Sequence, residues 1–298
     1  MIFSDPLFVL LAMIPVIASV LLGCQLKIEY LRELVRQPRA LMVGFGGQYL
    51  LLPLIALVFF YAYPAPEHVR WGWFILAAVP GGALSNMVTF LGRGRLSLSV
   101  VLTAGSTLTG IVTIPFWVGV GSHLLDGEAA RELPIARMVI GNFLVLVVPL
   151  MIGIAIAVWR PLLAQRLRRP TRMVMLMMLV LGVGMYTVRR WSHIAADFDL
   201  VTLIGAALFH IVIVLGVWGI GRTVGLDRRD SFTVGIEGGV QNVVMALLVV
   251  ELLGRRDLVA FVSYFTLASW VLVILWVALL GQRSSAGQVG SELGRGAA

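Results

Sequence analysis

The sequence predicts an all-α protein that crosses a membrane about nine times. Of its 298 residues, 59% are hydrophobic and only 13% are charged, whereas soluble chains carry about 25% charged residues. Apolar runs of about 20 residues recur along the chain, and each is long enough to cross the hydrocarbon core. No basic segment precedes the first run, so we expect a retained span and not a secretory signal.

The predicted spans place most positive charge on one side. Their approximate limits are 6–24, 40–62, 70–91, 96–122, 134–158, 172–188, 199–221, 231–253 and 258–281. Of the 23 lysines and arginines, 16 fall in one set of loops and seven in the other. The richer side is expected to be cytoplasmic, which places the N-terminus outside and the C-terminus inside a membrane that we expect to be a bacterial inner membrane.

Two segments outside the spans also carry predictions. The glycine- and serine-rich stretch 282–298 is predicted to be a disordered cytoplasmic tail. Residues 27–36 place apolar side chains on one helical face, which fits either an amphipathic helix lying on the inner surface or an ordinary solvated loop.

The sequence argues against several other functions. The net charge of +8 lies in short loops that set topology, so no nucleic-acid partner is expected. No Ser/His/Asp or Cys/His set lies at matching depths, so an enzyme is not expected. The single cysteine, Cys24, excludes an intrachain disulfide, and the four scattered histidines argue against a structural metal site.

Helix-breaking residues interrupt the third and eighth spans near their middles. The third contains Pro80, Gly81 and Gly82, and proline removes a backbone hydrogen bond. The eighth contains Gly238 and Gly239. Backbone groups freed inside a bilayer need protein partners or a water-lined cavity.

The two interrupted spans indicate an inverted repeat. They run in opposite directions in the predicted topology, and an offset of five spans pairs the first four with the last four, leaving the fifth unpaired. This arrangement is typical of secondary transporters. The alternative is that the glycines only allow close helix packing.

Glu237 is the one carboxylate far from the end of any predicted span. A buried acid is costly unless it is paired or neutralised, and no mid-depth lysine or arginine is available, so Na⁺ or H⁺ is the natural partner. Span four adds a stripe of hydroxyls, Ser99, Thr103, Ser106 and Thr107, whose oxygens suit a hard cation but equally suit interhelical hydrogen bonds.

These residues resemble the bile acid:sodium symporter family. The matching stretches are PGGALSN at 80–86, the serines and threonines at 99–107, EGGVQN at 237–242 and QYLLLP at 48–53. The resemblance implies a ten-helix fold of two inverted repeats with crossed broken helices, here without the family's first helix. It divides the chain into a core (38–125 and 198–281) and a panel (5–24 and 133–188).

The resemblance also implies two sodium sites. Carried over by position, the first would be formed by Ser85, Asn86, Ser99, Thr103 and Glu237. The second would be formed by Gln48, Glu237 and Gln241, with the backbone carbonyls of Gly238 and Val240.

The substrate side departs from the family pattern. Ala83 stands where the family often has threonine, and Thr266 and Leu267 stand where bacterial members often have a His-Asn pair. Ala83, Asn242 and Thr266 are therefore the candidate substrate contacts. His210 is interpreted as a packing residue.

The sequence leaves three functions open. The first is a sodium-coupled importer of an organic anion, such as a steroid-like anion, a small carboxylate or a sulfonate. The second is a proton-coupled transporter or an exporter on the same fold, and the third is a membrane sensor that does not transport. The oligomeric state stays open.

Overall fold

The computed structural model describes residues 6–35, 37–126, 133–189, 191, 195 and 199–281. The predicted tail at 282–298 lies outside these residues. In chain order the helices are α1 (Pro6–Gln25), α2 (Ile28–Val35), α3 (Pro38–Ala62), α4 (Glu67–Ala78), α5 (Ala83–Leu91), α6 (Leu96–Asp126), α7 (Ile135–Trp159), α8 (Pro161–Arg189), α9 (Leu200–Thr223), α10 (Arg228–Gly239), α11 (Val243–Leu252) and α12 (Val259–Leu279).

The helices confirm an all-α membrane protein. Within the described part of the chain, five helices are individually long and apolar enough to cross a bilayer: α3, α6, α7, α9 and α12. The predicted third and eighth spans are each two shorter helices, α4 with α5 and α10 with α11. The first and sixth predicted spans fall within α1 and α8. The total of nine spans and the inverted repeat stay predictions.

The linker after α1 forms the amphipathic helix that was one of its two expected states. Helix α2 turns away from α1 by 72°. Leu34 is buried, whereas Ile28 and Val35 are exposed. A short helix of this kind lies stably along a membrane surface when its apolar side chains enter the interface.

Helix α1 packs closely against α7 and also against α8. Glycines permit the approach to α7: a Cβ added at Gly23 would lie 2.7 Å from the Ile154 nitrogen, and one at Gly153 would lie 2.9 Å from the Gly23 Cα. Small residues at such contacts are a general feature of helix packing in membranes. These three helices are the ones assigned to the panel, although the division into panel and core stays a prediction.

A cluster of aromatic rings joins four of the remaining helices. The Trp73 ring on α4 lies with its centroid 5.1 Å from Phe59 of α3, 5.0 Å from Phe209 of α9 and 4.6 Å from Phe261 of α12. Ring pairs at these separations contribute attraction beyond the area they bury. The cluster therefore fixes α4, the first half of a broken span, against three continuous helices.

An ionic cluster holds the opposite end of the same group. The guanidinium of Arg95, in the turn between α5 and α6, donates to Asp230 at 2.9 Å and to Glu33 of α2 at 2.6 Å. The Arg95 backbone nitrogen donates to the Thr233 hydroxyl at 2.8 Å. Both broken spans and the linker helix are thus tied together at this membrane surface.

Candidate functional site

The two helix breaks cross and hydrogen-bond to each other. After α4 ends, Val79 to Gly82 are non-helical, with Val79 and Gly82 extended, and after α10 ends, Val240 to Asn242 are non-helical. The Gly82 nitrogen donates to the Val240 carbonyl at 3.0 Å, and the Asn242 nitrogen donates to the Pro80 carbonyl at 3.0 Å. Each break therefore satisfies backbone groups of the other, as an apolar environment requires.

Side chains of α6 satisfy further groups of the first break. The Gly81 nitrogen donates to the Ser106 hydroxyl at 3.2 Å, and Thr113 donates to the Ala78 carbonyl at 3.0 Å. A Cβ at Gly82 would lie 3.0 Å from the Gln241 carbonyl oxygen. The absence of a side chain at Gly82 is what lets the two breaks approach this closely.

The second break lies slightly later than the sequence indicates. Gly238 and Gly239 were predicted as the break, but they form the last helical residues of α10, and the non-helical segment starts at Val240. The two glycines give α9 room instead: a Cβ at Gly238 would lie 2.9 Å from a Val217 methyl. Pro80, Gly81 and Gly82 do lie in the non-helical part of the first break.

Glu237 lies in the last turn of α10, buried, with three hydroxyl groups on its carboxylate. Ser85 of α5 donates to Oε1 at 2.7 Å, Ser99 of α6 donates to the same oxygen, and Thr103 donates to Oε2 at 2.8 Å. Ser99 and Thr103 reach one carboxylate because residues four apart share a helix face.

Asn86 completes this first cluster. Its Oδ1 lies 2.9 Å from the Ser99 hydroxyl oxygen, and its Nδ2 lies 3.4 Å from the Thr103 hydroxyl. All five residues assigned to the first sodium site thus belong to one network of polar contacts, and all five are buried. Hydroxyls can rotate to present lone pairs, so the cluster can offer carboxylate, amide and hydroxyl oxygens to one hard cation.

A second cluster links Gln48 and Gln241 across 193 residues of sequence. The Gln48 Nε2 lies 3.3 Å from the Gln241 Oε1 and 3.1 Å from the Val79 carbonyl. The Gln241 Nε2 donates to the Gly238 carbonyl at 2.6 Å. Both amides are buried. A π-helical stretch, Gly47–Leu51, carries Gln48 to this position on α3.

Two other members of the predicted second site have different partners. Among the described residues, the side-chain hydrogen bonds of Glu237 go to the first cluster. The Val240 carbonyl accepts the Gly82 nitrogen, which uses one of its two lone pairs. The clusters are joined through the chain from Glu237 to Gln241 and through the Gly238 carbonyl.

A narrow cleft lies where α1 faces the crossing. It encloses about 50 Å³ and is lined by Ile14 and Pro15 of α1, by Gly82 and Asn242 at the breaks, and by Ser269 and Trp270 of α12. The first turns of α5 and α11 begin at this cleft. Helix N-termini carry partial positive charge and free N–H groups, so both favour an anion.

The three candidate substrate contacts differ in whether they line the cleft. Asn242 lines the cleft and caps α11, its Oδ1 accepting the Met245 nitrogen at 3.2 Å. Thr266 donates to the Val262 carbonyl of its own helix at 2.7 Å and is not among the cleft residues. The Ala83 side chain lies outside the described ones.

Ser269 is a cleft residue that the sequence did not single out. It lies one helical turn beyond Thr266, and its hydroxyl is 3.0 Å from Nδ1 of the buried His210. His210 therefore does more than pack, because it holds a hydroxyl at the cleft. The sequence of α12 is largely apolar, and its few serine and threonine residues, Ser263, Thr266 and Ser269, do not tell which of them reaches the cleft.

Comparison with known proteins confirms the family resemblance. The sodium bile acid symporter family matches residues 7–197. The P3 protein of Homo sapiens is 26% identical over 254 residues, which cover 85% of this chain and 53% of that protein. The probable chloroplastic sodium/metabolite cotransporter BASS1 of Arabidopsis thaliana is 26% identical over 236 residues, covering 76% of this chain and 55% of that protein.

A shorter match comes from a bacterium. The uncharacterized sodium-dependent transporter YocS of Bacillus subtilis is 34% identical over 97 residues, covering 33% of this chain and 30% of that protein. The chain spans about half the length of the P3 protein and of BASS1. The family match ends before α10, so the part played by Glu237 is argued from the geometry.

The contact between Gln48 and Gln241 predicts a double-mutant coupling. Gln48→Leu or Gln241→Leu alone leaves the other amide buried with fewer partners, so each lowers the free energy of unfolding by roughly 1–3 kcal/mol. The double variant should lose less unfolding free energy than the two single variants lose together, with a coupling energy of about 0.5–3 kcal/mol. Unfolding in mixed micelles with rising dodecyl sulfate measures both quantities.

Gln25→Leu is the matched control for this cycle. Among the described residues, the Gln25 amide bonds within its own helix, to the Leu21 carbonyl at 3.3 Å, so it should show no coupling to Gln241→Leu. Strict additivity of Gln48→Leu and Gln241→Leu would mean that the two amides do not interact.

Proposed function

Because the chain belongs to the sodium bile acid symporter family, we propose that it is a secondary transporter that uses Na⁺ to move a small organic anion. The observation that carries the proposal is the first cluster, in which Glu237, three hydroxyls and one amide from α5, α6 and α10 converge in a buried site. The coupling ion is cargo that enters and leaves with the substrate.

The buried carboxylate of Glu237 is the reason that the first cluster suits sodium. A buried carboxylate is costly in an apolar medium unless a cation accompanies it. Among the described residues, no arginine or lysine contacts Glu237, so its charge has to be compensated by a bound cation or removed by a proton, and we propose the cation. Binding would rotate the hydroxyls of Ser85, Ser99 and Thr103 so that their lone pairs face the ion.

We assign the second ion to the cluster of Gln48 and Gln241. The Gln241 Nε2 lies 2.6 Å from the Gly238 carbonyl oxygen and 3.5 Å from the Gln48 Oε1, and the Gln48 Nε2 lies 3.3 Å from the Gln241 Oε1. Turning either amide by its terminal torsion would direct an oxygen toward a cation. Neither Gln48 nor Gln241 brings a charge, so this site would be weaker than the first.

The substrate would bind in the cleft at the crossing. No charged side chain lines that cleft among the described residues. An anion there would be held by the N-termini of α5 and α11, by Asn242 and by Ser269. Because the Asn242 Oδ1 caps α11, its Nδ2 is left to donate to a carboxylate or sulfonate.

Coupling follows from the short path between ion and substrate. Gly82 and Gln241 line the cleft, while Ser85 and Glu237, three and four residues away, belong to the first cluster. A cation on Glu237 would raise the affinity of the cleft for an anion, and the anion would raise the affinity for the cation by the same factor.

Movement of the proposed core against the proposed panel would expose the cleft to each side in turn. At about 50 Å³ the cleft is far smaller than the roughly 300–1,000 Å³ of typical ligand pockets. A substrate therefore requires α1 to move away from the crossing. We place the protein in the inner membrane with its N-terminus outside.

Purified protein should melt at a higher temperature in Na⁺ than in K⁺. At a Na⁺ concentration 100 times the dissociation constant, binding stabilises by about 2.7 kcal/mol through mass action. Glu237→Ala and Ser99→Ala should each reduce the shift, because both remove oxygens of the first cluster. Thermal melting in detergent at constant ionic strength measures this difference in melting temperature between Na⁺ and K⁺.

Ser263→Ala is the control for Ser99→Ala, since the Ser263 hydroxyl bonds, within the described part of the chain, to the Val259 carbonyl one turn earlier. It should keep the full Na⁺ shift. An unchanged shift in Glu237→Ala, or equal melting in Na⁺ and K⁺, would contradict sodium binding at this site.

Transport should depend on the Na⁺ gradient and not on the pH gradient. Proteoliposomes would be screened with labelled small carboxylates, sulfonates and steroid-like anions under an inward Na⁺ gradient. Uptake should cease when K⁺ replaces Na⁺, and Asn242→Ala should raise the KM for the transported anion. Uptake driven by a pH gradient alone would favour proton coupling, and binding without flux would favour a sensor.

A further inference from the structure

An apolar groove lies between α3 and α9 on the side of the molecule away from α1. Its volume is about 440 Å³, several times that of the cleft at the crossing. Met42, Gly46, Leu50 and Leu54 line it at intervals of four residues along α3, and Ile220 lines it from α9. Residues four apart share one helix face, so the groove runs along the helix axis.

A missing side chain deepens this groove at its centre. Met42, Leu50 and Leu54 are 71%, 74% and 57% exposed, whereas a Cβ placed at Gly46 would meet no atom within 4 Å. From Met42 to Leu54 the helix rises roughly 18 Å, close to the roughly 15 Å of one leaflet of the hydrocarbon core. The dimensions suit one acyl chain.

A positively charged side chain lies at one end of the groove. Arg39, in the first turn of α3, lines it and is exposed. It forms no ion pair or side-chain hydrogen bond with any residue in the described part of the chain, unlike Arg95, which is bonded to Glu33 and Asp230. Its charge therefore has no counter-ion within the described protein.

We propose that this groove binds an anionic phospholipid, with an acyl chain over Gly46 and the phosphate on the Arg39 guanidinium. The groove matches such a lipid in polarity, since it is apolar along its length and cationic at one end. One basic residue near an anionic membrane surface contributes about 1 kcal/mol. A zwitterionic lipid carries the same phosphate, but its ammonium group cancels the net charge, so it would fill the same apolar groove with less of that gain.

The lipid would pack against the part of α3 that positions Gln48. The groove floor includes Gly47, Leu50 and Leu51, which belong to the same π-helical stretch as Gln48. Gln48 points to the buried side, where it contacts Gln241. Lipid binding itself needs neither ion nor substrate, so its test is independent of the proposed transport.

Native mass spectrometry of the detergent-solubilised protein, titrated with phosphatidylglycerol or phosphatidylcholine of identical acyl chains, tests the proposal. The protein should prefer phosphatidylglycerol roughly fivefold, the ratio that corresponds to about 1 kcal/mol. Arg39→Gln should abolish the preference by weakening phosphatidylglycerol binding more than phosphatidylcholine binding. Gly46→Leu should weaken binding of both lipids by filling the groove.

Two variants control for charge and for size. Arg160→Gln removes another exposed arginine, and Gly141→Leu adds a side chain at another open glycine, on α7. Neither should change lipid binding. If Gly46→Leu fails to fold, Leu50→Trp fills the same groove from an exposed position.

Equal binding of the two lipids by the unmodified protein would overturn the proposal. So would Arg39→Gln or Gly46→Leu binding the lipids in the same way as its control variant. Dimers that disappear in Gly46→Leu would assign the groove to a second copy of the chain and also overturn it.

Discussion

Two backbone hydrogen bonds, between Gly82 and Val240 and between Asn242 and Pro80, are the constraint on which the site depends. An extended segment inside a bilayer leaves N–H and C=O groups that neither water nor lipid can satisfy. Each break supplies partners for the other, so neither is stable alone. Their crossing brings the last turn of α10, with Glu237, against the first turn of α5, with Ser85.

This arrangement accounts for where polar side chains lie in a largely apolar chain. The first cluster contains the buried carboxylate and the hydroxyls that face it, and α6 supplies both Ser99 to that cluster and Ser106 to the first break. The same helix thus supports the backbone and lines the ion site. A change in α6 would therefore affect both the backbone of the first break and the proposed sodium site.

Much of this site could be predicted because its signals are local. A lone glutamate in an apolar run is conspicuous, and the spacing of Ser99 and Thr103 places them on one face. The grouping of these residues with Ser85 and Asn86 came from the family resemblance, since no spacing shows which helices meet. Helix α2 was predictable as one of two states because its apolar residues repeat with helical periodicity.

Other features depend on tertiary packing and left no local signal. The glycines at 238–239 look like a break, yet they stay helical, packed against Val217 and Val214, and the non-helical segment starts at Val240. Ser269 and not Thr266 reaches the cleft because the rotation of α12 about its axis is set by its neighbours. The serine and threonine residues of this largely apolar helix do not encode that rotation.

The central claim is that the crossing of the two breaks builds a cation site on Glu237. The most direct measurement is a crystal structure with Tl⁺ substituted for Na⁺, in which the heavy ion is located by its anomalous scattering. The account predicts a peak in contact with the Glu237 carboxylate, the Ser99 hydroxyl and the Asn86 Oδ1, which added Na⁺ displaces. Anomalous peaks only elsewhere, with none at Glu237, would contradict it.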